Sequence, residues 1–180
     1  MSELGKILTV QEADKPLLIE GCLYCIEQCD QLLKLVSQDV FNKAAQGNSS
    51  VGAHIRHILD RFHCFFAGLR EADIDYDARK RDKSIETSLQ AATFALASIA
   101  RRIEKIDLDA SHGKTITVRE TVHHLGSSLA IESTVERELM GLVTHSTHHL
   151  AIIVLITKSF GYELGNDFGK APSTIVYERG

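Results

Sequence analysis

Tryptophan is absent from this chain, and proline occurs only twice in 180 residues. With so few breaks, long helices can run without interruption. No basic run is present, and the formal net charge is -4. That balance argues against a phosphate-tracking surface, and so against nucleic acid as a partner. The longest apolar stretch, near Leu150–Ile156, falls far short of the roughly 20 residues a bilayer span needs. The opening Met1-Ser-Glu-Leu-Gly-Lys6 lacks the apolar centre of a signal peptide. These absences lead us to expect a cytoplasmic protein without a membrane partner. Cysteine is also scarce, and a disulfide scaffold is not expected at this size and in this compartment. Cys22-x-x-Cys25 has no second such pair and no strand–turn–helix context, which leaves little for a zinc or redox motif. With Cys29 these residues recur at helical spacing and read as small buried apolar groups on one helix face.

What is present is helical periodicity. Hydrophobic residues make up 44% and charged residues 24%, enough for one globular domain spanning 1–180. Four segments repeat their apolar residues at three-and-four spacing. The first is Val10–Ser37, with Pro16 in its first turns. The second is Ser50–Leu69, capped by Ser49 or Ser50 and striped by Val51, Ile55, Ile58, Phe62 and Phe65. The third is Ser84–Lys105, capped by Ser84. The fourth is Val135–Phe160, closed by Gly161. Asp39–Ser49 reads as a loop, and the charged segment Arg70–Asp82 as an exposed connection. Between the third and fourth helices the period changes to two. Lys114–Val122 and Leu129–Val135 alternate apolar and polar residues about a turn at Gly126-Ser-Ser128, which predicts a β-hairpin over about 114–135. The tail 162–180 reads as irregular, with a short extended segment last. The expected fold class is all-α, a four-helix bundle with a small hairpin inserted before the last helix.

Histidine is the unusual ingredient. His145, His148 and His149 crowd the apolar run Leu142–Ile156. Four residues of α-helix turn through about 40° net, so His145 and His149 share one face. Glu138, Leu142, Ile152 and Ile156 fall on the same stripe, so both imidazoles are expected to look inward. His148 sits to one side. Two imidazoles placed this way can bind one divalent ion but leave its sphere incomplete. A third ligand is expected from the second helix, in Ser50-Val-Gly-Ala-His54-Ile-Arg-His57-Ile-Leu-Asp60. By periodicity His54 lies nearer the apolar stripe than His57. His63, His112 and the adjacent pair His123-His124 carry weaker signals, the last at the hairpin turn.

The second-helix motif, followed far downstream by His145-x-x-His148-His149, resembles the DinB/YfiT-like superfamily over about Pro16–Ile156. The resemblance implies an up-down-down-up four-helix bundle holding a divalent metal with three histidines. Carried onto this chain, those ligands are His57, His145 and His149, because Ile58-Leu59-Asp60 follows His57 as the family motif requires. His54, His148 and Glu138 then become candidates for groups around the ligands. Many members continue His-His-Arg-Gly-Gln, where this chain has His148-His149-Leu150-Ala151-Ile152, so substrate-binding detail does not transfer.

Three neutral imidazoles leave the ion its full charge and an open position. Zn, Ni and Fe all suit such ligands. The resemblance implies a metal-dependent enzyme acting on a small-molecule substrate, a thiol S-transferase with a low-molecular-weight thiol as co-substrate or a hydrolase-like relative. It also implies a homodimer. Arg56, Arg61, Tyr76 and the loop Asp75–Asp82 are candidates for the mouth of the site. The alternative is a non-catalytic, stress-associated metal-binding bundle. A third reading is a helical interaction module in which the histidines only pack.

Overall fold

The structure, a computed structural model, describes residues 15–44, 49–111 and 113–180. The expected start of the first helix at Val10, and His112, lie outside the described residues. In chain order the elements are α1 (Lys15–Leu35), α2 (Gln38–Asn42), α3 (Val51–Gly68), β1 (Asp73–Asp75), α4 (Lys83–Thr87), α5 (Leu89–Ile103), α6 (Leu108–Ser111), β2 (Thr115–Glu120), β3 (Leu129–Thr134), α7 (Val135–Ser159) and α8 (Pro172–Arg179). Helices dominate. The four long ones are α1, α3, α5 and α7. Both α1 and α3 pack against both α5 and α7. Leu32, Phe41, Ile55, Ile58, Phe62, Phe65, Leu96, Ile99 and Leu139 are fully buried among them.

The cysteines of α1 behave as small apolar residues at a helix contact. Cys22 and Cys29 are fully buried. Cys22 Sγ donates to the Leu139 carbonyl at 3.7 Å, and Cys25 Sγ to that of Val143 at 3.9 Å. These contacts seat α1 on the N-terminal half of α7, just before the histidines.

By length and composition α7 could cross a membrane, with a mean hydropathy of 1.6 over its most apolar window. The seven-residue run counted in the sequence understates it, because Leu139, Met140, Leu142 and Val143, ahead of the histidines, extend the apolar window. In this fold a third of that window is buried, and Leu139, Leu142, Leu150, Ile153 and Ile156 face the core.

Several local expectations are corrected. The third helix is two helices. Ser88 is extended, at φ -130 and ψ 117, and its Oγ accepts from Ala91 N, so it ends α4 and starts α5. A serine that satisfies backbone donors outside a helix interrupts it. Asp82 rather than Ser84 caps α4, accepting from Ser84 N at 2.9 Å. The Asp39–Ser49 loop begins with α2, where Ser37 accepts from Val40 N and Phe41 anchors the turn in the core. The tail is not extended at its end: Pro172 opens α8, where its missing N–H costs nothing.

The hairpin forms as expected, β2 antiparallel to β3 with Val118 opposite Ile131. It belongs to a larger sheet, because β1 pairs with β2 in parallel, Ile74 opposite Val118. The segment Arg70–Asp82 is therefore not simply exposed: Ile74 is fully buried and Tyr76 nearly so. Asp73 and Arg119 keep their charges outside in a two-bonded ion pair.

Two close approaches brace the site helices, one at the first turn of α3 and one along α7. A Cβ on Gly52 would meet the Glu86 carbonyl oxygen at 2.0 Å and Phe41 Cε1 at 2.8 Å, so glycine alone lets α4 lie against the first turn of α3. Gly169, at φ +69, brings the tail against the backbone of Leu150 and Ala151, and its N–H donates to the buried Gln28 Oε1 at 2.7 Å.

Candidate metal centre

Two capped helices carry the histidines. Ser50 Oγ accepts from Ala53 N at 3.1 Å and starts α3. Thr134 Oγ1 accepts from Arg137 N at 3.2 Å and starts α7. The apolar stripe of α3 goes to the core, which leaves His54 and His57 half-buried on its flank, facing α7.

There His57 meets His145 and His149. One ring nitrogen from each of the three lies within 4.8 Å of the others. The ring centroids form a near-equilateral triangle: His57–His145 4.9 Å, His57–His149 4.6 Å and His145–His149 4.6 Å. His145 Nε2 is buried and has no hydrogen-bond partner among the described residues. A buried polar atom without a partner costs free energy unless something else satisfies it.

All three rings are held neutral. Burial, then the charges of Arg79 and Arg56, push His57 down to about 4. Burial, then Arg61 and His57, push His145 down to about 3. Burial, then His145 and His57, push His149 down to about 3. At neutral pH each ring therefore keeps one nitrogen lone pair, and no imidazolium has to lose its charge before an ion binds.

No family model and no curated protein matches the chain. A solved structure does. The crystal structure of a DinB-like protein, YjoA of Bacillus subtilis, matches with a TM-score of 0.57 over 82% of this chain and 94% of that one, at 16% identity. This chain has a DinB-like fold.

Within the DinB-like fold, the other nominated residues take distinct places. His54 Nδ1 lies 2.9 Å from His149 Nδ1, so one of these nitrogens donates to the other. Burial, then the charge of His148, holds His54 below its ordinary value. His148 is exposed, its ring 5.1 Å from that of His149, and it is outside the three-histidine group. Glu138 touches none of the three rings by hydrogen bond. It accepts from Tyr76 Oη at 2.9 Å and from Ser133 Oγ at 2.6 Å. Tyr76 in turn carries the Arg61 guanidinium 3.6 Å above its ring, and Arg61 is ion-paired to Glu120. Glu138 thus supports the platform under Arg61, whose charge acts on His145. Arg56 lies one residue before His57 and is held by Asp60 at 2.5 Å and Glu86 at 2.9 Å.

His63 lines a cavity of about 400 Å³ with Asp60, Lys80, Asp82 and Arg102, which includes none of the three histidines. His123 and His124 are exposed, their rings 4.5 Å apart.

Sequence reasoning did not single out Arg79. Its Nη1 lies 3.1 Å from His57 Nδ1. Nothing in its own neighbourhood marks it among Arg79, Lys80 and Arg81. The pairing of β1 with β2 and the packing of β1 on α3 bring that loop over His57.

Proposed function

We propose that His57, His145 and His149 hold one divalent metal ion and that the protein is a metal-dependent enzyme acting on a small molecule, of the thiol S-transferase type. The observation that carries this reading is the convergence of three neutral imidazoles, with His145 Nε2 buried and without a partner among the described residues. The DinB-like fold is consistent with it, and the proposal takes the four long helices as an up-down-down-up bundle. A bound ion of this kind would lower the pKa of a coordinated thiol or water and polarise a carbonyl oxygen.

The chain's own groups supply orientation. With Nδ1 of His149 donating to His54, the ring of His149 is fixed in the tautomer that leaves Nε2 free, the usual arrangement for a histidine ligand. The three rings are each half-buried, which favours a centre reached by a substrate over a sealed structural site. The chain's cysteines do not supply a nucleophile. Burial pushes Cys22 up to about 12 and Cys25 up to about 11, and raises Cys29 and Cys64 as well. A reacting thiol must then come from a low-molecular-weight co-substrate. A homodimer is part of the same proposal. The edge strand β3 offers exposed Leu129 and Ile131 to a second copy.

Elemental analysis of untagged protein, reconstituted separately with Zn, Ni and Fe, tests the reading. About one equivalent of a divalent ion is expected, and less than about a tenth of an equivalent after reconstitution overturns it. His149→Ala should lose the ion, while His124→Ala should retain it.

A further inference from the structure

One charged neighbour of the three histidines has no ion-pair partner among the described residues. Arg56 is paired with Asp60 and Glu86, and Arg61 with Glu120. Arg79, in the loop between β1 and α4, has its Nη1 3.1 Å from His57 Nδ1. Among the described residues no carboxylate lies within ion-pair distance of it, and its Nε is buried without a partner. A half-buried guanidinium with its Nε out of water, set against an imidazole instead of an anion, is costly. The loop is built to hold it there. Asp75 Oδ1 accepts from Asp77 N at 2.8 Å and from Ala78 N at 3.3 Å, turning the chain immediately before Arg79. Arg81 just beyond sits at φ 50, a left-handed conformation that a non-glycine residue adopts at some cost.

The hydrogen bond to His57 carries a further consequence. A guanidinium only donates. His57 Nδ1 must therefore accept, and the ring proton lies on Nε2. In that tautomer His57 has no lone pair to spare. Ligation through Nδ1 takes the lone pair that Arg79 uses. Ligation through Nε2 moves the proton to Nδ1, where it faces another donor. Either way, an ion at His57 releases the guanidinium of Arg79.

We propose that Arg79 is the binding residue for a substrate carboxylate, its guanidinium freed for that anion when the three-histidine centre takes up its metal. The inference rests on the metal reading above for its coupling, though not for the anion itself. A carboxylate fits better than a phosphate. Its two oxygens match the planar fork. It also brings one negative charge rather than two beside Asp75 and Asp77, just ahead of Arg79 in the chain.

The test is calorimetric titration of sodium acetate into the zinc-loaded full-length protein, with zinc content measured on the same samples. Arg79→Gln should weaken acetate binding by at least about tenfold with zinc content unchanged. Arg79→Lys, which keeps the charge and loses the fork, should fall between. Zinc-free protein should bind acetate more weakly than the loaded protein. Acetate affinity within about twofold of wild type in Arg79→Gln, at full zinc content, overturns the proposal while leaving the metal reading intact. Inorganic phosphate binding more tightly than acetate through Arg79 overturns the carboxylate assignment. If wild type holds no zinc, the metal reading fails, and the Arg79 dependence of acetate binding to the zinc-free protein alone decides for or against the clamp.

Discussion

Lowering the pH from about 7.5 to 5.5 should leave the zinc affinity of this protein almost unchanged, whereas an ordinary three-histidine site loses most of its affinity over that interval. An unperturbed imidazole with a pKa near 6.5 must shed a proton to ligate. At pH 5.5 this weakens binding by about 11-fold for each ring, so by roughly a thousandfold, or about 4 kcal/mol, for three. Here His57 is held at about 4, and His145 and His149 at about 3. All three stay more than about 95% neutral at pH 5.5, and the penalty falls to less than about twofold. Zinc competition against a chromophoric chelator, corrected for the chelator's own protonation, measures this directly at both pH values. A loss of about a hundredfold or more would refute the reasoning. Ring-nitrogen NMR of the metal-free protein offers an independent reading, in which all three rings keep neutral-form shifts down to about pH 5. The same shifts bear on folding with a definite sign. Between 6.5 and the lowered folded values, the unfolded chain binds more protons than the folded one. Stability of the metal-free protein is therefore fully retained above 6.5 and declines as the pH falls below it. Half-exposed rings make the decline shallow.

Gly52→Ala should destabilise the protein by about 2–3 kcal/mol in urea titration, because the new methyl would lie 2.0 Å from the Glu86 carbonyl oxygen and neither backbone can yield without displacing the other. A change below about 0.5 kcal/mol would show that α4 moves freely against α3. The four thiols should resist a thiol-reactive dye at pH 8 in the folded protein and react together on unfolding, since all are buried and raised in pKa. Rapid labelling of any one in native buffer contradicts that. Tyr76→Phe should cost about 1 kcal/mol by removing its hydrogen bond to Glu138, while zinc content stays at the wild-type level. Loss of zinc in that variant would place Glu138 and Tyr76 closer to the ligands than the structure does.

Long periodic elements were legible in the sequence, and short ones were not. The stripe of α3, its cap at Ser50, the apolar run of α7 and the stop at Gly161 each repeat or punctuate over several turns. The alternation in β2 spans the whole strand, while its partner β3 is exposed along nearly all its length. By contrast, α2 rests on the single buried Phe41, and β1 has three residues whose only partner, β2, lies far along the chain. No local pattern announces a parallel pair that distant. Periodicity favours His54 over His57, against the grouping in the structure, for a related reason. Periodicity ranks residues by how squarely they face the core, and both histidines sit on the flank of that stripe. The structure sets His57 in the group with His145 and His149 and turns His54 onto His149. The loop Asp75–Asp82 was a candidate for the mouth of the site, but Arg79 could not be told from its neighbours there, because its meaning is a distance to His57.

The contact at Gly169 ties distant parts of the chain into one mechanical unit. Its N–H satisfies the buried amide oxygen of Gln28, and its backbone lies on Leu150 and Ala151, directly after His149. Clipping the chain within residues 161–165 would leave Gln28 with an orphaned acceptor and strip cover from α7 one residue past a histidine of the candidate centre. Damage at the far end of the polypeptide would then surface as faster amide exchange around His149, well before the rest of the helix loosened.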